Sequence, residues 1–384
     1  MGCCSLRDFK GGIGVVVLAS GAMDALAVDE PFLATTEETP IGFTLRCLEE
    51  AGLRRVEIVV DRQGRRMELS RDPSDRGTIF ALTGGEAARG GIALLSPLLD
   101  GCLVLPAELP LLRPGTIDRV LRAAFETAAP VVYPTFQGDR GFPVYLDRTL
   151  FAEIVDEPAP EALAAVLARH EGEAREIAVF DHGCVEAAGV EMTDWTEKLA
   201  SHHAPDDAEC EAMMAVVAMD EPVCRHCQAV AELATWLAEQ LNEKGHGLDV
   251  GLVRSAALVH DIGKGHSHHA EVGSGMLRVF GFPKVADLVA DHHLGAAFDG
   301  KTIDERAVLF LAEKLVQGER RVSLAERFAP AFTRFGSDPE AVREISARLA
   351  TAETMLHAVE SEIDMTPFEP LSIRAPEGAV MGDF

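Results

Sequence analysis

Nowhere in its 384 residues does the chain carry the run of roughly 18 apolar residues that a helix needs to span a bilayer. It also lacks a basic half. Residues 1–200 hold 19 basic against 32 acidic side chains and residues 201–384 hold 16 against 30, for a net charge of −27. So acidic a surface is repelled by duplex nucleic acid and by anionic membranes, and neither is an expected partner. A free nucleotide is not excluded, because one metal ion or a few local cations suffice to hold a phosphate. A disulfide framework is missing too. The eight cysteines fall at irregular positions, 3, 4, 47, 102, 184, 210, 224 and 227, which is the usage of a reduced, cytoplasmic protein. Cys224 and Cys227 form a C-x-x-C, but no second pair completes a zinc site, and on a helix residues three apart are simply neighbours.

The N-terminus imitates two targeting signals without completing either. Arg7 and Lys10, an apolar run from Ile13 and Ala25-Leu26-Ala27 resemble a signal peptide, but the run is short and Asp24 precedes the cleavage motif. Met1-Gly2-Cys3-Cys4 hints at acylation, yet Leu6 stands where myristoylation prefers Ser or Thr. The expected location is the cytoplasm.

A chain of this length should hold two domains, each with its own core. From residue 12 to about 200, the apolar runs Ile13–Leu18, Arg55–Val60, Cys102–Leu105 and Val131–Tyr133 read as buried strands. Between them, Ile41–Ala51 and Thr116–Thr127 carry apolar residues at helical spacing. This alternation predicts a doubly wound, mostly parallel α/β sheet with helices on both faces. Beyond about residue 205 the texture changes. Segments 208–219, 222–243, 249–262, 268–280, 283–292, 304–317 and 339–361 all favour helix, with no strand signal left. The expected organisation is an α/β domain over 12–203, an all-α domain over 208–364 and an irregular tail over 365–384.

The chemistry concentrates in the helical half. An apolar helical run ends in His260-Asp261-Ile262-Gly263-Lys264, which points an imidazole and a carboxylate at one spot before Gly263 breaks the helix. His226 lies early in the preceding amphipathic helix, His269 opens the next one, His292-His293 closes another, and Glu313 follows. Histidines and carboxylates together suit divalent metals, and two such ions can clamp a phosphate. The scattered His202, His203, His246, His266 and His268 read as ordinary surface or core residues.

Over roughly residues 210–330 the sequence resembles the HD-domain phosphohydrolases. The matching stretches are Arg225-His226-Cys227, Ala256 to Lys264, His269-Ala270-Glu271-Val272-Gly273 and Asp291-His292-His293. The resemblance implies that His226, His260 and Asp261 are metal ligands, and that His269, His292 and His293 match the extra histidines of two-metal members. The family's last ligand is an aspartate; here Leu311-Ala312-Glu313-Lys314 carries the carboxylate one methylene further out. Lys264 is the implied phosphate contact, and the implied reaction is attack of metal-activated water on phosphorus, with Asp261 and Lys264 in the catalytic set. Iron, manganese, cobalt and nickel are all compatible with these ligands, and two ions are implied.

In the first half, the opening strand runs into Leu18-Ala19-Ser20-Gly21, a small-residue turn that lets backbone amides approach a phosphate. A second strand ends at Pro106-Ala107-Glu108, and ligands of open α/β sheets bind at such carboxyl ends. Together with Pro134–Tyr145, these segments resemble the MobA-like nucleotidyltransferases, particularly the molybdenum-cofactor cytidylyltransferase branch, which works with magnesium. Glu108 and Glu191 occupy the places of that family's metal aspartates. Its arginine and lysine are missing, and Asp24, Asp29 and Glu30 occupy the region instead. Uncompensated, these acids would repel a triphosphate by several kcal/mol at low effective dielectric. The expectation is a phosphohydrolase of a nucleotide or other small phosphate ester, fused to a degenerate transferase-like domain that binds a ligand or gives support. A bifunctional enzyme and a non-catalytic protein of cofactor maturation are the alternatives, and homo-oligomerisation stays open.

Overall fold

A computed structural model describes residues 6–19, 40–53, 56–61, 77–82, 87–95, 98–106, 109–159, 161–185, 199, 202–290, 298 and 302–363. The chain divides into two compact units, Met1–Val216 with Arg278–Phe282, and Val217–Leu277 with Pro283–Phe384.

In the first unit, helix α1 (Leu6–Gly11) leads into a sheet built from β1 (Ile13–Ala19), β2 (Val56–Asp61), β3 (Gly77–Leu82), β4 (Gly101–Pro106), β5 (Val131–Phe136), β6 (Asp139–Arg140), β7 (Val144–Asp147) and β8 (Arg175–Ala178). Its order is β3-β2-β1-β4-β7-β5-β6, with β8 paired to β5. Strands β1 to β4 run parallel, and β7 lies antiparallel to both β4 and β5. Successive side chains of a strand point to opposite faces. Val15, Val17, Leu103 and Leu105 therefore share one core with Leu48 of α2 (Pro40–Glu50) and with Ile117, Val120 and Leu121 further along the chain. Val16, Cys102 and Val104 belong to the other core, with Ile92 of α3 (Ala87–Leu94). The first core's later contributors lie on α4 (Pro114–Thr127); the second gains Ile154 of α5 (Phe151–Asp156) and Val166 of α6 (Ala162–Arg169). Helices thus cover both faces of a mostly parallel sheet. Burial on two sides is why β1 and β4 are apolar without alternation.

Helix α7 (Asp207–Val216) belongs to this first unit, although the expected boundary precedes it. Its Glu209 is buried, and accepts from Arg113 Nε at 3.1 Å and Nη2 at 2.8 Å. The backbone amides of His182 and Asp206 donate to the same carboxylate. Asp181 Oδ2 accepts from Arg113 N at 2.8 Å and Thr116 Oγ1 at 2.6 Å, which satisfies donors at the start of α4.

The second unit is helical: α8 (Glu221–Glu243), α9 (Val250–Val259), α10 (His269–Phe280), α11 (Pro283–Ala290), α12 (Glu305–Lys314), α13 (Leu324–Phe335) and α14 (Pro339–Ile363). Asp249 and Asp304 cap α9 and α12 by accepting from Leu252 N and Ala307 N. Val230, Leu233, Leu237 and Leu241 are fully buried on α8, each of these large side chains contributing about 1.5–3 kcal/mol relative to exposure. The second half is mostly helical, as expected, with one small addition. Strands β9 (Val316–Gln317) and β10 (Arg320–Arg321) form a hairpin turning at Gly318, whose φ is +60°. Two-residue strands are too short to show a period. Helix α13 was also outside the expected segments, although its Ser323-x-x-Glu326 capping box is readable. No helix among the described residues is long and apolar enough to cross a membrane, and none of the six described cysteines is in a disulfide. The expected tail over 365–384 lies outside the described residues.

Candidate metal centre

Four elements of the second unit bring the candidate ligands together. His226 sits in the second turn of α8, His260 and Asp261 follow the last turn of α9, His269 opens α10, and Glu313 ends α12. The turn after α9 is held tight by Gly263, where a Cβ would collide with the His269 carbonyl and the Gly273 amide. That close approach sets Asp261 beside His269.

Backbone carbonyls fix both central imidazoles. His226 Nδ1 donates to Gly318 O at 2.9 Å and His260 Nδ1 to Ala257 O at 2.8 Å. Each ring is thereby left with Nε2 as its inward atom. His226 Nε2 lies 2.9 Å from Glu313 Oε2, and His260 Nε2 lies 3.5 Å from the same oxygen and 3.8 Å from Asp261 Oδ2. The two rings meet edge to face with centroids 5.5 Å apart. Ligand atoms of His226, His260 and Asp261 all lie within 4.8 Å of one another. On the far side, His269 Nε2 lies 3.4 Å from Asp261 Oδ1.

Cations ring the two carboxylates. Lys264 Nζ donates to Asp261 Oδ2 at 2.6 Å, and Arg327 Nη2 donates to Glu313 Oε1 at 2.8 Å. Lys314, itself buried, places Nζ 3.8 Å from that same Oε1. Burial works to raise the Asp261 pKa, but His260 and Lys264 outweigh it and hold the carboxyl below its ordinary value. Burial works to raise the Glu313 pKa, but the bond from His226 and the nearby His260 and Lys314 charges hold the carboxyl well below its ordinary value. Burial pulls the His260 imidazole down, while Cys227 and Glu313 raise it well above the usual range.

The donor set fits a divalent ion. Asp261 Oδ1 is buried and accepts no hydrogen bond, so one strong acceptor of the cluster has capacity left. Separations of 2.9 to 3.8 Å are those of neighbouring donors around an ion with bonds of about 2.1 Å.

Of the expected site residues, the structure thus assembles His226, His260, Asp261, Lys264, His269 and Glu313. His292 and His293 lie outside the described residues. In the first unit, Leu18 and Ala19 end β1 between β2 and β4, whereas Ser20, Gly21, Glu108 and Glu191 lie outside the described residues. Sequence reasoning missed Arg327, because the capping box before it signals a helix start but not the contact with Glu313.

A model of the HD domain matches residues 223–331, and a model of the MobA-like NTP transferase domain matches residues 15–175. The uncharacterized protein MJ0778 of Methanocaldococcus jannaschii is 32% identical over 143 residues, 33% of this chain and 84% of that protein. Ribonuclease Y of a Thermus thermophilus strain is 43% identical over 77 residues, 18% of this chain and only 12% of that enzyme. Among solved structures, Rv0371c from Mycobacterium tuberculosis H37Rv is 22% identical with a TM-score of 0.39, covering 49% of this chain and 96% of that one. For 2-C-methyl-D-erythritol 4-phosphate cytidylyltransferase from Thermus thermophilus the values are 16%, 0.36, 49% and 98%. HD domains form a superfamily of metal-dependent phosphohydrolases. The chain belongs with MJ0778 to one family, and it joins a MobA-like NTP transferase domain at residues 15–175 to an HD domain at residues 223–331.

Proposed function

We propose that the protein is a cytoplasmic, metal-dependent phosphohydrolase of a nucleotide or other small phosphate ester, whose first domain binds a ligand or supports the second. The observation that carries this reading is the convergence of His226 Nε2, His260 Nε2 and Asp261 on one point, with both rings fixed from behind by backbone carbonyls.

His226, His260, Asp261 and Glu313 would hold a first divalent ion, and His269 with Asp261 Oδ1 would begin a second position, completed by His292 and His293. Iron, manganese, cobalt and nickel are the ions in view. Ions held there supply Lewis acidity toward a phosphoryl oxygen and activate water. The chain's own groups do the rest. The carbonyls of Gly318 and Ala257 orient the two imidazoles, and burial of His260 and Asp261 keeps bulk solvent away from their inward atoms. Lys264, half-exposed beside Asp261, can swing its ammonium to an incoming phosphate and leave Asp261 with an oxygen free. The first domain is read as non-transferring, because Asp24, Asp29 and Glu30 stand where a triphosphate needs cations.

The test is anaerobic purification with metal quantification, then a hydrolysis screen of nucleotides and phosphate esters. Asp261→Ala and His260→Ala should abolish turnover with the fold intact by circular dichroism. Full activity in Asp261→Ala sinks the reading. Pyrophosphate release from CTP or GTP with magnesium would favour a bifunctional enzyme instead.

A further inference from the structure

We infer that Arg327 is a positioning residue that holds Glu313 to a single donor oxygen and so keeps a coordination position open at the metal centre. This rests on the metal-binding reading above. A carboxylate can grip an ion with one oxygen or with both, and the choice depends on what engages the second oxygen. In Glu313 the two oxygens have divided their partners. Oε2 faces His226 and His260 at 2.9 and 3.5 Å, while Oε1 is taken by Arg327 Nη2 at 2.8 Å, with Lys314 Nζ at 3.8 Å. The carboxylate is 6% exposed, so water competes poorly for either oxygen, and a charge-assisted bond there is strong.

Arg327 is well placed for this role. Ser323 caps α13, accepting from Glu326 N while the Glu326 carboxylate accepts from Ser323 N at 2.9 Å. Arg327 N then donates to Ser323 O at 2.9 Å, closing the first turn. The guanidinium therefore projects from a fixed point in the chain. A glutamate has three side-chain torsions to restrain, and without Arg327 nothing else within 3.5 Å among the described residues holds Oε1. Released, Glu313 could turn both oxygens to the ion and close the position a water or phosphoryl oxygen needs. The arginine has a cost as well: a fixed cation close to a metal ligand opposes metal binding. Arg327 would thus trade affinity for openness, which is the opposite of what a simple structural brace does.

The test uses the full chain loaded with Co(II), comparing wild type with Arg327→Gln and with Arg327→Met, which keeps more of the stem's volume should the first variant fold poorly. Affinity is measured by titration calorimetry, and coordination number by visible absorption, which weakens as cobalt gains ligands. Expected are an affinity unchanged or raised by up to about tenfold, a weaker visible band, and return toward the wild-type spectrum in Arg327→Lys. An unchanged spectrum in both neutral variants, or a loss of affinity in both, overturns the inference. If wild type binds no Co(II), or binds it equally in His260→Ala, the metal reading itself fails; wild-type binding with indifferent Arg327 variants removes only this inference.

Discussion

His226 Nε2 stands 2.9 Å from Glu313 Oε2, although 87 residues separate the two in the chain. The contact ties the start of α8 to the end of α12 and brings a buried carboxylate to the centre. Replacing Glu313 with Gln keeps the shape and removes the charge that both imidazoles face. Metal content after gel filtration should fall, with affinity reduced at least as much as the ~10–100-fold that loss of a supporting hydrogen bond costs a metal site. Wild-type metal content in Glu313→Gln would remove Glu313 from the ligand set.

Gly263→Ala should injure both stability and the site. The added Cβ would meet the His269 carbonyl and the Gly273 amide, both backbone atoms that cannot swing aside. Overpacking of this kind costs about 1–3 kcal/mol. Because the same turn sets Asp261 beside His269, metal affinity should drop together with the melting temperature. Gly265→Ala is the contrasting variant: no atom lies within 4 Å of its Cβ, and only its φ of +96° opposes the change, so the melting temperature should move but metal affinity should not.

How far the sequence reveals this molecule follows from what burial does to composition. Strands β1, β2, β4 and β5 were legible because their residues are mostly apolar and rich in Val, Ile and Leu. Strands β6 and β8 were not: Asp139 and Arg140 are exposed, and Arg175–Ala178 is largely so, leaving no apolar pattern. His260-Asp261 was legible because a helix end next to a glycine already places two donors together. Arg327 was not, since its contact with Glu313 depends on how the hairpin at Gly318 returns α13 toward α12. A polar contact created by packing has no period in the sequence. The candidate nucleotide residues Ser20, Gly21, Glu108 and Glu191 remain expectations from sequence, outside the described residues.

The buried pair Arg113–Glu209 should be the stability hinge of the first unit. Glu209 is 2% exposed and receives four N–H donors, two of them from Arg113. Removing one partner leaves the other's charge buried without its counter-charge, at about 3–5 kcal/mol. Arg113→Ala and Glu209→Ala should each lower the denaturation midpoint by that order, with hydrogen exchange accelerating first in α7. The metal centre lies in the other unit, so metal affinity per folded chain should not change. A loss of less than ~1 kcal/mol in both variants would show that the pair is screened like a surface bridge.

Acid should destabilise the first unit partly through His202. Burial, with the nearby Arg113 and His203 charges adding to it, pushes this imidazole down to about 3 from an ordinary 6.5, against a weaker opposing bond to Leu111. Its Nε2 is buried with no hydrogen-bond partner, consistent with a neutral ring. The folded pKa lies below the unfolded one, so between about 3 and 6.5 the unfolded chain binds more protons. The contribution is therefore complete above pH 6.5 and is lost as pH falls toward 3. One such group gives a slope of at most about 1.4 kcal/mol per pH unit. His202→Phe should flatten the stability profile across that window by up to this amount and leave the profile above pH 7 parallel to wild type. Urea titrations at half-unit steps read the slope directly, and parallel profiles below pH 6 would show that His202 protonates without unfolding anything.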